Sequence, residues 1–204
     1  MKPSVAREVL ERSKSTVEQA FSGAKALPVV INLSRDEYKQ NEKYAFMEYG
    51  YASTPYAEAL IAFCGDIVCH LSYVQCNIKE NLSELQRCWE NTEFTLNTQK
   101  AQTLADKIFT HHQIPPLLLK GTELQCKVWQ ALLHLPKGTL CTYQDIAHEV
   151  GKPKAVRAVA SSIGANEIAY LIPCHRVVGK SGAMSGYRWG VEVKERLLHE
   201  ETGQ

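Results

Sequence analysis

The pair Pro115–Pro116 separates two parts of the chain that have different hydrophobic patterns. Between residues 44 and 76, apolar residues alternate and turn residues recur, which is typical of antiparallel strands. From residue 121 onward, apolar residues recur at helical spacing. Proline fixes its own φ angle and lacks a backbone donor, so neither a helix nor a central strand is expected to run through the pair. The sequence therefore predicts an α/β protein of two domains, joined by an extended linker over residues 113–120.

The linker and the turn residues predict three segments. Residues 1–43 are predicted to be a helical extension and linker, either mobile or packed on the rest of the protein. Residues 44–116 are predicted to form a small antiparallel sheet, with a tight turn at Gly65 and Asp66 and helices over 77–91 and 97–112. Residues 117–204 are predicted to form a helical domain.

Charge and cysteine content limit the cellular setting. The 204 residues carry a net charge of +1, and no apolar run is long enough to span a bilayer. Glu8 and Glu11 interrupt the N-terminal stretch that a signal peptide would need to be apolar. Seven cysteines, an odd number without paired spacing, favour reduced thiols. We therefore expect a cytoplasmic protein with no membrane association.

The cysteines of the first half allow two interpretations. Cys64, Cys69, Cys76 and Cys88 lie near His70 and would be the members of a zinc site, but they include no CxxC pair. Small buried side chains in a sheet are the alternative account of these cysteines. We expect no metal and no cofactor, and the zinc interpretation has no further support in the sequence.

A helix-turn-helix is predicted in the second domain. One helix is expected over residues 123–135, and a second over 143–150 with Thr142 as its cap. A short turn containing Gly151 leads into a third helix over 154–164. Two helices joined by a short glycine-containing turn are typical of DNA-binding proteins, although any helical hairpin has a similar pattern.

The third helix carries an unusual face of small residues, namely Ala155, Ala158, Ser161 and Ser162. The bulkier Val156, Val159 and Ile163 are expected to face the core. A small-residue face allows the backbone to approach a minor groove only about 6 Å wide. Tight packing between helices would favour the same residues. Between residues 137 and 190, seven Lys or Arg outweigh three Asp or Glu, which indicates either a polyanion partner or an ordinary solvated surface.

The most reactive combination of residues is Cys174-His175-Arg176, which lies within an apolar run after Pro173. A thiol acts as a nucleophile in its thiolate form, and neighbouring cationic or proton-accepting groups favour that form. We therefore predict a reactive thiolate at Cys174. A small buried hydrophobic residue is the alternative, because most cysteines in apolar runs have only that role.

The run Pro-Cys-His-Arg-Val at residues 173–177 resembles the active-site motif of the O6-alkylguanine-DNA alkyltransferases, and the similarity extends from about Gly121 to Glu201. The resemblance implies a ribonuclease-H-like N-terminal domain and a winged-helix-like C-terminal domain. It implies repair of double-stranded DNA by a monomer, in which the alkyl group of O6-alkylguanine or O4-alkylthymine moves irreversibly to Cys174.

The resemblance also implies the catalytic roles. His175 would activate the thiol through a water molecule, and a glutamate would orient the histidine. Glu201 matches that glutamate best, and Glu200 is the alternative after a slip of one residue. Tyr143 would hydrogen-bond the base and assist the departure of guanine.

The remaining roles implied by the resemblance concern DNA. Arg157 would fill the space left by a flipped base, on a recognition helix whose small contact residues are Ala155, Ala158 and Ser161. Asn166 would be a hinge between that helix and the active-site loop. The loop 185–190 would be a lid, and the base pocket would be formed by Val177, Tyr187, Arg188 and Trp189.

Two residues depart from the family pattern. Glu167 stands where many members have proline, and Trp189 stands where some have glycine. Trp189 is expected to narrow the pocket, so bulky substituents such as benzyl are expected to be poor substrates. The alternative functions are a helix-turn-helix regulator or a damage-marking alkyltransferase-like protein, whose known members lack the cysteine. A cysteine hydrolase is a third, poorer alternative, because no distant histidine or oxyanion hole is recognisable.

Overall fold

The computed structural model describes residues 1–23, 27–75, 77–184 and 186–203. The chain forms two compact units. We call the first the helical unit; it contains Met1–Leu27, Leu124–Asn166 and Tyr170–Gln204. We call the second the sheet unit; it contains Pro28–Glu123 and Glu167–Ala169. The predicted α/β class is confirmed.

The helices and strands follow one another along the whole chain. The helices are α1 Pro3–Ser22, α2 Arg35–Gln40, α3 Ile78–Cys88, α4 Thr98–Ala105, α5 Glu123–Leu133, α6 Tyr143–Glu149, α7 Val156–Gly164 and α8 Val191–Thr202. The strands are β1 Val30–Leu33, β2 Phe46–Ala52, β3 Ala59–Cys64, β4 Ile67–Tyr73, β5 Glu93–Leu96, β6 Leu117–Lys120, β7 Cys141–Thr142 and β8 Val177–Val178. Within the described residues, none of the helices is both long and apolar enough to cross a membrane.

The sheet unit is built on a six-stranded sheet in the order β1-β6-β4-β3-β2-β5. Strands β2, β3 and β4 form the predicted antiparallel meander, and β3 and β4 are joined by the predicted turn at Gly65, where φ is +62°. The outer pairs β1–β6, β6–β4 and β2–β5 are parallel. The sheet is therefore mixed, and the prediction of a purely antiparallel sheet was wrong. Helices α3 and α4 lie between the later strands in sequence and supply the long connections that parallel pairing requires.

The units differ in their boundaries from the predicted segments. Strand β6 was predicted to be linker, but its leucines are buried and its backbone pairs with β1. Residues 28–43, predicted as part of an extension, contain β1 and the capped helix α2. Helix α1 belongs to the helical unit, because its apolar face is buried there beside Leu140, Val178 and Leu198.

The helical unit contains the predicted helix-turn-helix. Thr142 caps α6 through a reciprocal capping box with Asp145, and Gly151 in the turn has a φ of +68°. The Trp129 indole on α5 donates to the Ser162 carbonyl at 2.8 Å, which anchors α7 against α5. Strands β7 and β8 pair in parallel, with Cys141 opposite Val177. This small ladder places the start of α6 beside the segment that contains Cys174.

Candidate active site

Cys174 begins a single 3-10 turn, Cys174–Arg176, between Pro173 and β8. Its side chain is buried, with 7% of the residue exposed. The Asn166 amide, two residues beyond α7, donates to Cys174 Sγ at 3.2 Å and to the Ile172 carbonyl at 3.1 Å. One side chain therefore ties the end of α7 to both the thiol and the backbone that holds the thiol.

The thiol of Cys174 is protonated in the resting structure. Burial raises the pKa of Cys174, and this outweighs the opposing effects of the Asn166 hydrogen bond and the charges of Lys194 and Arg188. The prediction of a resting thiolate was wrong, because the sequence showed the cationic neighbours but not the depth of burial. Reaction of this thiol therefore requires a base that accepts its proton.

His175 is fully buried and has the properties of such a base. Burial lowers the pKa of His175 in spite of the nearby Glu201 carboxylate, so the imidazole is neutral near pH 7. Its Nε2 lies 3.1 Å from Glu201 Oε1, and a neutral ring must donate there, because the carboxylate only accepts. The proton is therefore on Nε2, and Nδ1 carries the lone pair. Nδ1 is buried and has no hydrogen-bond partner among the described residues.

Glu201 is a buried carboxylate that accepts from several donors. Besides His175, Arg176 donates to its two oxygens from Nε at 2.9 Å and Nη2 at 2.6 Å, and the Gly138 amide donates at 3.3 Å. Burial alone would raise the pKa of Glu201, but these hydrogen bonds and charges hold the pKa well below its ordinary value. The carboxylate is therefore ionised throughout the neutral range.

The geometry distinguishes the two glutamates that the sequence left open. The Glu201 side chain is 1% exposed and contacts His175, whereas the Glu200 side chain is 48% exposed and lies 3.6 Å from Lys137. Gly138 fits closely against the backbone of Glu201, since an added Cβ would lie 2.7 Å from its carbonyl oxygen. Gly138 also has a φ of +79°, so a side chain at this position is excluded for two reasons.

Tyr143 is the first residue of α6, where the capping box fixes the direction of the helix. Its side chain is half-buried. Burial raises the pKa of Tyr143, and the nearby Cys174 thiol contributes in the same direction. The phenol is therefore protonated at neutral pH and available as a hydrogen-bond donor close to the thiol.

The predicted contact residues of α7 lie mostly on one solvent-facing side. Arg157, Ala158 and Ser161 are exposed, and Ala155 is half-buried at the helix N-cap. Ser162 was predicted on the same face, but it is buried, and its hydroxyl donates to the Ala158 carbonyl at 2.9 Å. A strict helical period places residue 162 on the side that packs against α5.

The predicted pocket residues surround the hinge asparagine. The Arg188 guanidinium donates to the Asn166 carbonyl at 3.1 Å. Tyr187 and Trp189 are buried and meet edge to face, with ring centroids 5.3 Å apart. The Val177 carbonyl accepts from Lys194 at 2.7 Å, which leaves its second lone pair for another donor. Ser185, at the start of the predicted lid, and Cys76, of the zinc interpretation, lie outside the described residues.

Sequence reasoning missed three residues that contact this site. Arg176 was noted only as a neighbour, although it holds Glu201. Lys194 is buried, and burial lowers its pKa to about 8 against the opposing influence of the Cys174 and Cys141 thiols. Tyr170 stacks on the His175 ring at 6.5 Å and has a φ of +65°, a strained conformation for tyrosine.

A signal for two of the buried charges was present in the sequence. Lys194, Leu197, Leu198 and Glu201 follow the spacing of one buried helix face, on which two charged residues take positions usually occupied by apolar ones. Charged residues on such a face are rarely buried without a partner. No comparable local signal predicts the left-handed conformation of Tyr170.

Comparison with known proteins was made for the whole chain. The family model described as "6-O-methylguanine DNA methyltransferase, DNA binding domain" matches residues 123–203. "Regulatory protein ada" of Salmonella typhimurium is 57% identical over 87 residues, which are 43% of this chain and 25% of that protein. A "Methylated-DNA--protein-cysteine methyltransferase" of Scheffersomyces stipitis is 44% identical over 106 residues, which are 52% of this chain and 55% of that protein. The chain thus spans between a quarter and about half of the length of these curated relatives.

Similarity to solved structures extends over more of the chain. The crystal structure of Mycobacterium tuberculosis OGT in complex with DNA is 30% identical, has a TM-score of 0.62, and is matched over 76% of this chain and 93% of that chain. The O6-methylguanine-DNA methyltransferase of Pyrococcus kodakaraensis is 18% identical with a TM-score of 0.60, which supports the fold alone.

The fold and the site define an α/β protein in which a helix-turn-helix unit carries a buried cysteine beside a histidine–glutamate pair. The match to the family model and to the Mycobacterium tuberculosis structure identifies the particular group within this class. The chain belongs to the 6-O-methylguanine-DNA methyltransferase family.

Proposed function

We propose that this protein repairs double-stranded DNA by moving the alkyl group of O6-alkylguanine, and of O4-alkylthymine, to Cys174 Sγ. The observation that carries the proposal is the connection of Cys174 by Asn166 to the end of α7, beside the neutral His175 and its Glu201. This arrangement joins a DNA-binding helix to a nucleophile that has its own base. The relatives named as methylated-DNA--protein-cysteine methyltransferases support the same activity.

The transfer is a single displacement in which the bonds balance. The thiol proton passes through a water molecule to His175 Nδ1, and the resulting imidazolium is stabilised by Glu201. Cys174 Sγ then attacks the alkyl carbon, so that an S–C bond forms and the bond from that carbon to O6 breaks. The electron pair of the broken bond moves to guanine, and the Tyr143 hydroxyl and the Arg188 amide donate to the departing base. The protein retains a thioether, which no group in the site can cleave, so each molecule reacts once.

The substrate base must leave the duplex to reach a buried thiol. The exposed face of α7, with Arg157, Ala158 and Ser161, is suited to enter a minor groove because two of these residues are small. Arg157 takes the place of the extruded nucleotide in the base stack. Asn166 couples that helix to the thiol, as a hinge.

The base pocket is assigned to the residues around Asn166. The carbonyl oxygens of Cys174 and Val177 accept from the guanine amino group, and Tyr187 stacks near the base. Trp189 limits the room beside the alkyl group, so methyl is preferred over benzyl. The reaction needs no cofactor, and we propose a cytoplasmic monomer that acts without metal.

The alternative functions are less well supported by the site. A damage-marking alkyltransferase-like protein has no need of Cys174, which is present here with a base and a hinge. A helix-turn-helix regulator would use α7 for sequence recognition, and the exposed small residues offer few groups that could read base edges. The name of the Salmonella typhimurium relative, a regulatory protein, belongs to a protein of which only a quarter is matched.

The test is to map the product of the reaction. The protein is incubated with a duplex that contains O6-methylguanine, digested, and analysed by peptide mass spectrometry. One methyl replacing one hydrogen is expected on the peptide that contains Cys174. Cys141→Ala, which removes another buried thiol of the same unit, should leave the adduct in place, whereas Cys174→Ala should abolish it. Methyl transfer by Cys174→Ala at the wild-type rate would contradict the proposal.

A further inference from the structure

Helix α1 packs against the elements that carry the candidate active site. The residues that form this shared buried cluster are Ala6, Val9, Leu10, Leu140, Val178 and Leu198. The last three lie directly before β7, in β8 and in α8. Each of these elements leads to a site residue, since β7 precedes Tyr143, β8 follows the Cys174–Arg176 turn, and α8 carries Glu201.

Ser13 makes a specific polar contact within this packing. It is only 4% exposed, its hydroxyl accepts from the Leu140 amide at 3.0 Å, and it donates to the Val9 carbonyl at 2.7 Å. Both partners are backbone groups, so the hydroxyl fixes the position of the chain three residues before Tyr143. Because β7 pairs with β8, the same contact is one strand away from the turn that holds Cys174.

The first turn of α1 makes a second, independent contact. Gly182 closes a turn through a hydrogen bond from its amide to the Gly179 carbonyl at 2.8 Å. Its φ is +79°, and an added Cβ would overlap the Pro3 carbonyl oxygen and lie 2.9 Å from Arg7 Cγ. The backbone of α1 therefore lies directly on the segment that connects β8 to the pocket residues Tyr187 and Trp189.

We propose that α1 is a positioning element for the proposed alkyl transfer, and that Ser13 acts through Leu140 and β7 to hold the Tyr143 hydroxyl against Cys174 Sγ. The inference rests on the proposed function. The family match begins at residue 123, so α1 lies outside the matched region, and its role follows from the contacts of this chain. A misplacement of about 1 Å between reacting groups can cost a rate factor on the order of 10².

The test uses Ser13→Ala, with Ser22→Ala as its matched control. Both changes remove a serine hydroxyl from α1, but the Ser22 hydroxyl is exposed and bonds only to carbonyls of its own helix. Three quantities are measured well below the melting temperature: the Kd for duplex DNA, the first-order transfer rate at saturating methylated duplex, and the amide hydrogen exchange of residues 140–143 and 174–178.

Ser13→Ala is expected to lower the transfer rate by about tenfold, a fraction of the loss that a full misplacement causes. It should also speed exchange at residues 140–143 and leave the Kd unchanged. Ser13→Thr, which restores a hydroxyl, should recover part of the rate, and Ser22→Ala should behave as wild type. A purely structural role would lower the melting temperature without changing the rate among folded molecules.

Gly182→Ala tests the second contact, and it should slow transfer in the same way. Its control is Gly65→Ala, which imposes a similar positive φ on alanine but meets no atom within 4 Å. Transfer rates and exchange that are the same in Ser13→Ala, Ser22→Ala and wild type would overturn the proposal. If the wild-type protein transfers no methyl group, the proposed function fails, and the exchange of residues 140–143 still decides whether Ser13 holds this segment.

Discussion

Replacing Glu201 by glutamine should destabilise the protein strongly. The carboxylate accepts from His175, twice from Arg176 and from Gly138, and its side chain is 1% exposed. Glutamine keeps the shape but removes the charge, and its NH2 group would face a guanidinium donor. Removing one partner of a buried ion pair costs about 3–5 kcal/mol, because the remaining charge is buried without compensation.

The expected change in melting temperature follows from that free energy. For a protein of this size, about 1 kcal/mol corresponds to roughly 2–4 °C, so Glu201→Gln should lower Tm by about 6–20 °C. The control is Glu200→Gln, the neighbour whose half-exposed carboxylate lies 3.6 Å from Lys137. An exposed pair contributes at most about 1 kcal/mol, so this control should remain within a few degrees of wild type.

The pH dependence of stability provides a second readout for the same variant. The pKa of Glu201 is held below its ordinary value of 4.5, so its contribution to stability is complete above that value and is lost as the pH falls through the lowered pKa. The difference in Tm between wild type and Glu201→Gln should therefore be constant near neutral pH and narrow below about pH 4. Differential scanning calorimetry measures both. A Tm for Glu201→Gln equal to that of Glu200→Gln would refute the account of this buried carboxylate.

Four further predictions concern the reaction. Arg157→Ala should slow repair of duplex DNA far more than reaction with free O6-methylguanine base, because an unfilled gap in the stack costs a few kcal/mol; equal losses would place Arg157 elsewhere. The transfer rate should not fall until the pH is well below 6.5, because burial lowers the pKa of His175 and the neutral base persists to lower pH; a rate profile that declines with a midpoint above 6.5 would contradict this. Trp189→Gly should increase the rate with O6-benzylguanine relative to O6-methylguanine, and an unchanged ratio would show that Trp189 does not limit the pocket. Methylation of Cys174 adds an apolar group to a filled site at a cost of about 1–3 kcal/mol, so the alkylated protein should melt about 2–12 °C lower, and coincident melting curves would show that the site has room.

Local signals in the sequence predicted the helix-turn-helix. Thr142 and Asp145 form a capping box that is readable from their spacing, and Gly151 marks the turn because its φ is positive. The hairpin at Gly65 was predicted for the same reason. In each case the residues that determine the element are adjacent in sequence, so no knowledge of distant contacts is needed.

The missed elements depend on distant partners. Strands β1, β5 and β6 have four residues each, and their backbone hydrogen bonds go to segments far away in sequence. Helix α1 has an apolar face that the sequence shows, but the surface that covers this face comes from β8, α8 and the segment before β7. Length and local pattern cannot predict such pairings, because long-range contacts determine them.

The site was predictable in its members more than in its electrostatics. The resemblance placed Cys174, His175 and Glu201 together, and the structure brings Glu201 to His175 and Asn166 to Cys174. The protonated state of the thiol and the buried Lys194 were not predicted, because a pKa depends on burial, which the sequence does not give. The predicted roles of these residues stay predictions until the reaction is measured.

The stoichiometry of methyl transfer tests the central claim most directly. A radiolabelled methyl group on O6-methylguanine in duplex DNA is supplied in large excess, and the label that becomes bound to protein is followed over time. The account predicts a single burst that ends when each protein molecule carries one methyl group, all of it on the Cys174 peptide, with no later turnover. Continued release of methyl groups beyond one per molecule, or a burst of equal size in Cys174→Ala, would contradict it.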